Sequence, residues 1–359
     1  MYFGKFISPI FQKGLYFKPN NKISVFGQPN FYIGNRKLCS FRSTKNLKTS
    51  LILSKQDIKE SFVKKFPVSA RPYVQLSRID RPIGTWLFLI PSYWGLFLAS
   101  PTPDLKLLSV FAVGSLVVRS AVCIINDMAD YKFDKQVERT KTRPLASGQV
   151  THKKAFVFLG AHFASLYAMT LPILNNQTIL LCLSSLPLAV LYPFMKRFSY
   201  YPQAVLGLFI NWGVLAGYYA IAGPIGLTAV IPLYISSFLW TIVYDTVYAH
   251  QDKNDDRMIG VKSTALKFAE NTKPILSVLS VATIGGMALT GSLLSMPLVY
   301  YLGTGVCATH LFYKLYRVNL DDADDCSDFF KSSRDFGLIY LVTIFLSHLY
   351  QDDKKKEIN

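Results

Sequence analysis

No aspartate or glutamate occurs in the first 50 residues, which nevertheless hold nine lysines and arginines. The same stretch has no long apolar core, and this excludes an ordinary secretory signal. What remains is basic and rich in serine, asparagine and aromatics, the make-up of a mitochondrial transit peptide, so residues 1–65 are set apart as a transit peptide and disordered basic leader. Cysteine is also scarce: the five present include no CxxC pair, which argues against a zinc ribbon or a disulfide framework. They are expected as small buried residues.

Charge is the scarcest commodity outside the leader. Only 17% of the chain is charged against 51% hydrophobic, and the mean hydropathy is +0.26, a balance that fits a polytopic membrane protein better than a soluble domain. The net charge of +17 does not point to nucleic acid, because the basic residues of the body flank apolar runs instead of forming a continuous basic face.

The charge-free runs define the architecture. Residues 82–103 carry no formal charge, and 107–125 carry only Arg119, so each can supply one span. Runs 155–195, 198–244 and 274–313 are each about two spans long. Each is interrupted near its middle: by Pro172 with Asn175, Asn176 and Gln177, by Gly223 with Pro224, and by Gly291 and Ser292 through Pro297. A last, shorter run covers 336–351. The expectation is an all-α membrane protein, a bundle of nine transmembrane helices occupying 66–351, followed by a polar tail at 352–359. Charged segments before the first span and after the second, fourth, sixth and eighth then share one side, which holds nearly all the lysine and arginine. By the positive-inside rule that side faces the matrix of an inner mitochondrial membrane.

Two acidic clusters sit on that side. The second span ends in Asn126-Asp127-Met128-Ala129-Asp130-Tyr131-Lys132-Phe133-Asp134. On a helix Asp127, Asp130 and Asp134 share a face, and Asn126, Asp130 and Asp134 form an overlapping row. The sixth span ends in Asp245, Asp252 and Asp256, again one face if the helix continues. Clustered carboxylates beside hydrocarbon are costly, about 2.5 to 3.5 kcal/mol for one aspartate at a span centre, so they require bound positive charge. Hard oxygen ligands suit Mg²⁺, which bridges carboxylates to phosphate oxygens. Two such clusters can clamp one diphosphate. Asp321, Asp322, Asp324, Asp325 and Asp328 have no partner cluster and read as solvated loop acids.

Several stretches carry a resemblance. They are Leu76-Ser77-Arg78-Ile79-Asp80-Arg81-Pro82-Ile83-Gly84, the first aspartate motif with its continuation Arg139 to Gly148, and Tyr192-Pro193-Phe194-Met195-Lys196-Arg197. The last is Tyr244 to Asp256 running into Ile259 to Ala265. In this order they resemble the UbiA-type intramembrane prenyltransferases over about residues 70 to 350, and most resemble the branch acting in ubiquinone synthesis. The resemblance implies a helical bundle around a central cavity open to lipid. It further implies polyprenyl diphosphate as donor, 4-hydroxybenzoate as acceptor, membrane lipid as surroundings, and association with other enzymes of the ubiquinone pathway.

In that scheme Mg²⁺ is held by Asn126, Asp127, Asp130, Asp134, Asp252 and Asp256, and stabilises charge as the donor C–O bond breaks. Asp245 orients the phenol or takes the ring proton. Lys141 and Arg143 grip the diphosphate, while Arg197 with Lys196 pairs with the benzoate carboxylate. Arg119, seven residues before Asn126, meets an aspartate or a phosphate, and Arg78 either joins it in substrate binding or caps an interfacial helix with Asp80. Tyr131 and Tyr248 steady a cation through their ring faces. Two alternatives stay open: a relative that prenylates another quinone precursor or a haem, and a transporter, whose signature is acids deep within spans or inverted repeats with broken helices.

Overall fold

A computed structural model describes residues 62–137 and 140–358, all within one compact unit, Ser54–Asn359. The expected leader lies outside the described residues up to position 61, as do Glu138 and Arg139. Every regular element among the described residues is helical. A short α1 (Arg71–Leu76) precedes α2 (Ile83–Ala99) and α3 (Leu105–Asp134), and α4 (His152–Thr170) follows. Then come α5 (Asn176–Leu183), α6 (Leu186–Phe198), α7 (Pro202–Ile210), α8 (Trp212–Ala222) and α9 (Leu227–Ala249). The chain ends with two short helices, α10 (Lys253–Ile259) and α11 (Thr264–Phe268), and three long ones, α12 (Thr272–Leu293), α13 (Leu298–Arg317) and α14 (Ala323–Ile358).

The three hairpin signals fall where helices end. α4 stops at Thr170 and Asn175 caps α5 by accepting from the Thr178 N–H at 2.8 Å. α8 stops at Ala222 before Gly223, whose φ of 63° suits a residue without Cβ. α12 stops at Leu293 and α13 resumes after Pro297. Among the described residues, five segments are long and apolar enough to cross a membrane by length and composition: Leu105–Asp134, Asn176–Phe198, Pro202–Ala222, Leu227–Ile259 and Thr264–Leu293. Large apolar side chains such as Phe156, Leu180, Val278 and Leu302 point outward, the reverse of a water-facing surface.

Small residues let the central helices meet. A Cβ on Gly95 would lie 2.2 Å from the Val214 carbonyl oxygen, and one on Gly217 would lie 2.2 Å from that of Ser92, so α2 and α8 touch backbone to backbone. Asn211, at the break between α7 and α8, is fully buried, and its amide nitrogen lies within hydrogen-bonding reach of Gly207 O (2.8 Å), Ser237 O (3.0 Å) and Thr241 Oγ1 (2.7 Å). Around them Trp94, Trp240, Phe336, Tyr340 and Tyr300 fill the core, with the Trp94 indole donating to Gly337 O at 3.0 Å.

The last helix departs from expectation. It begins at Ala323 and runs to Ile358, so Asp324, Asp325 and Asp328 lie in its first turns and the polar tail continues as helix. Asp322 accepts from the Asp324 N–H at 2.9 Å, and acids at a helix start complement its dipole. Asp324, Asp325 and Asp328 are exposed, in keeping with solvated acids.

Candidate active site

Six aspartates and seven lysines or arginines line a cavity of about 330 Å³ where the ends of α3, α6 and α9 converge. Asp127, Asp130 and Asp134 project into it from the last turns of α3 and are all buried. The second acidic segment reaches the same cavity by a different local path from the one expected. α9 stops at Ala249, a 3₁₀ turn covers His250–Asp252, and α10 carries Asp256. Asp245, Asp252 and Asp256 all line the cavity despite that break. The segment is tied down beside α6 by the Lys262 N–H, which donates to Lys196 O at 2.9 Å.

The carboxylates of the first motif are individually partnered. Asp127, 1% exposed, accepts from Arg78 Nη2 at 2.9 and 2.8 Å and from Arg143 Nη1 at 3.1 Å. Arg143 also reaches Asp134 at 2.8 Å. Lys196 pairs with Asp130, and Arg197 stands 3.7 Å from it while donating to Ala129 O at 2.7 Å. The Arg197 guanidinium is sandwiched between the rings of Phe133 and Phe194, at 5.3 and 5.0 Å. Arg78 holds its position at φ 57°, a left-handed backbone that a side-chain-bearing residue adopts at a cost of about 1 to 3 kcal/mol. Deeper in the bundle, Arg119 donates to Cys123 Sγ at 2.6 Å, and its buried Nε has no hydrogen-bond partner. Gly84 makes room for it: a Cβ there would lie 2.1 Å from that Nε.

The profile that describes the UbiA prenyltransferase family matches residues 88–346, most of the chain. The chain belongs to that family. A mitochondrial protein of Dictyostelium discoideum named 4-hydroxybenzoate polyprenyltransferase is 55% identical over 298 residues, covering 82% of this chain and 64% of the relative. An apo UbiA homolog from Aeropyrum pernix K1 shares the fold with a TM-score of 0.61 at 22% identity, over 74% of this chain and 97% of its own. A UbiA homolog from Archaeoglobus fulgidus, solved bound to GPP and Mg²⁺, does so with a TM-score of 0.56 at 18% identity, over 76% and 99%.

With the fold of a UbiA enzyme in view, the expected site residues sort into two groups. Asn126, Asp127, Asp130, Asp134, Asp245, Asp252, Asp256, Arg78, Arg119, Arg143, Lys196, Arg197 and Tyr248 share the one cavity. Lys141 and Tyr131 do not line it. Lys141 is exposed on the loop after α3. Tyr131 packs against the cluster of Leu76, Ile124, Leu145, Val150 and Ala155, with the His152 ring 4.4 Å away. It directly follows Asp130, and one residue of helix turns a side chain by about 100°, away from the row of Asn126, Asp130 and Asp134. Tyr248 faces the cavity with Phe330 4.3 Å from its ring.

The donor set of Asn126, Asp130, Asp134, Asp252 and Asp256 is all oxygen, as a hard divalent cation requires, and Asp130 Oδ1 is buried with no hydrogen-bond partner. Asp127 differs from that set in that guanidinium groups hold both of its oxygens. Among the described residues no three carboxylates close into a ready-made metal cage. Mg²⁺ sites commonly take one or two carboxylates and complete themselves with substrate phosphate and water.

Sequence reasoning passed over Tyr192, Gln203, Lys262 and Phe330, which also line the cavity. Tyr192 and Lys262 fall inside stretches that carry the family resemblance, so the signal was there. Phe330 comes from the start of α14, far along the chain, and only the packing of that helix brings it in.

Proposed function

We propose that this chain transfers a polyprenyl group from its diphosphate to the ring carbon ortho to the hydroxyl of 4-hydroxybenzoate, a step of ubiquinone synthesis. The carrying observation is that two acidic helix ends, distant in sequence, line one cavity at one end of an otherwise apolar bundle. The name of the Dictyostelium relative supports the acceptor, and the GPP and Mg²⁺ of the Archaeoglobus structure support the donor class and the ion.

In this reading Asn126, Asp130, Asp134, Asp252 and Asp256 hold Mg²⁺, which when bound neutralises the developing charge of the leaving diphosphate. Arg143 and Lys196 lie beside those carboxylates and add fixed positive charge toward the same group. The donor C–O bond breaks with its electron pair leaving on inorganic diphosphate. The allylic cation is taken by the ring carbon ortho to the phenol, and the ring proton departs to restore aromaticity. Asp245, on α9 within the bundle, is suited to orient the phenol or accept that proton. Tyr248 presents a ring toward the cavity where the cation forms. Arg197, stacked between two aromatic rings, is suited to meet the benzoate carboxylate.

We place the enzyme in the mitochondrial inner membrane with the charged end facing the matrix, behind a cleaved leader, and in the company of other ubiquinone-pathway enzymes. Among the described residues, nine long helical rods, from α2 through α14 with α5–α6 and α7–α8 each counted as one, are the spans of this reading. The test is a membrane assay with 4-hydroxybenzoate, polyprenyl diphosphate and Mg²⁺. Asp130→Ala and Asp252→Ala are each expected to lower turnover by about 100-fold or more. Full turnover in both would overturn the proposal.

A further inference from the structure

Four lysines at the charged end of the bundle stand apart from the reaction cavity. Lys132 lies in the last turn of α3 and Lys135 just beyond it, while Lys153 and Lys154 fall in the first turn of α4. All four are exposed, and none lines the cavity. Among the described residues none of them is within ion-pairing distance of a carboxylate.

An aromatic pair joins them into one patch across the two helices. The Lys135 ammonium lies over the Tyr131 ring, 5.6 Å from its centroid, and the His152 ring packs edge to face on the same tyrosine, 4.4 Å between centroids. Lys132, next to Tyr131 and three residues before Lys135, shares that side of the helix end. Tyr131, expected to steady a substrate cation, instead steadies a lysine of its own chain.

α4 begins with lysines where a helix dipole favours acids. Its first turn has no acid, and Thr151 caps it by accepting from the Lys154 N–H at 3.4 Å. First-turn N–H groups, the positive end of the dipole and two ammonium groups therefore coincide, and together they attract an anion. Sidedness alone needs no such arrangement, since lysine anywhere in the flanking loop satisfies it. Directly after the lysines, Ala155 is buried beside Ile124 of α3, while Phe156 and Val157 are 67% and 72% exposed. Positive charge thus stands at the edge of an outward apolar wall.

We propose that this patch binds an anionic phospholipid, with the phosphate at Lys135, Lys153, Lys154 and the start of α4, and the acyl chains along Phe156 and Val157. The proposal rests on the membrane placement proposed above. A free anion leaves the apolar wall unused, and a zwitterionic lipid brings its own cation to a patch that is already positive. An anionic phospholipid satisfies both halves. Each lysine beside an anionic lipid surface strengthens binding by about fivefold, so three together supply a preference of about tenfold or more.

The test uses the full-length protein in phosphatidylcholine vesicles doped with a trace of phosphatidylglycerol or of phosphatidylcholine, each carrying a diazirine near the start of an acyl chain. The anionic probe is expected to label the stretch 153–161 of the wild type about tenfold or more above the zwitterionic one. A triple variant, Lys135→Gln, Lys153→Gln and Lys154→Gln, is expected to lose that preference, and the corresponding arginine triple to keep it. Lys331→Gln is expected to keep it too, because Lys331 already pairs with Asp328 at 2.8 Å. Equal labelling of the wild type by both probes overturns the proposal, as does a full preference in the glutamine triple. If inorganic phosphate erases the preference while unlabelled phosphatidylglycerol leaves it, the site takes a free anion and the lipid is overturned. The comparison of probes on the wild type needs no variant, so it decides even where the triple fails to fold. No labelling of any helix by either probe overturns the membrane placement beneath the proposal instead.

Discussion

At the scale of single residues, the aspartates of the first motif differ in their partners. Asp130 and Asp134 face the cavity with Asn126, while Asp127 is enclosed by Arg78 and Arg143 and holds two distant segments against α3. Removing one partner of a buried charge cluster leaves the others uncompensated, at a cost of about 3 kcal/mol. Asp127→Asn is therefore expected to lower the thermal stability of the purified protein while leaving the Mg²⁺ concentration for half-maximal activity near that of wild type. Asp130→Asn is expected to raise that concentration. A Mg²⁺ titration of both variants beside a melting curve checks the division, and a shift in Mg²⁺ demand for Asp127→Asn would return that residue to the ion. Spacing could not separate these roles, because Asp127 and Asp130 are equally good neighbours on a helix face. What separates them is Arg78, placed by a left-handed backbone that no pattern in the sequence announced.

At the scale of elements, the chain uses small residues where helices must approach and polar residues where backbone is interrupted. α2 and α8 meet through Gly95, Gly217 and Ser92, and a side chain at Gly217 would have to displace the backbone of α2. Gly217→Val is expected to abolish recovery of monodisperse protein in detergent. Gly160→Ala, with open space around it, is expected to be neutral or stabilising by up to about 1 kcal/mol, as a helix gains from losing a glycine. Size-exclusion chromatography and thermal melts of the two variants check both outcomes. The helices and their hairpin turns were legible from charge-free runs, proline, glycine and asparagine. The breaks at Ser184–Ser185 and Asn211 were not, because inside a bundle a break is decided by which neighbours can receive its polar groups.

At the scale of the whole molecule, one end is crowded with charge and the other has little, which gives the bundle a direction. Lys132 lies on the charged side and Ile225 on the turn between α8 and α9, both exposed. In a cysteine-free background, Lys132→Cys and Ile225→Cys are expected to react with a membrane-impermeant maleimide from opposite faces of sealed vesicles, Lys132→Cys from the matrix-equivalent side. Reaction of both from one face would dismantle the topology on which the shared cavity depends.

The amino-acid order carried the long apolar helices, their turns and the residue types of the site, because hydrocarbon keeps most charge off the helices it surrounds and so leaves long charge-free runs in the sequence. Which aspartates stand free of arginine and which side chains of the motif look inward were decided only when the helices packed. Those properties depend on atoms brought together from opposite ends of the chain, at separations that a local spacing rule does not encode.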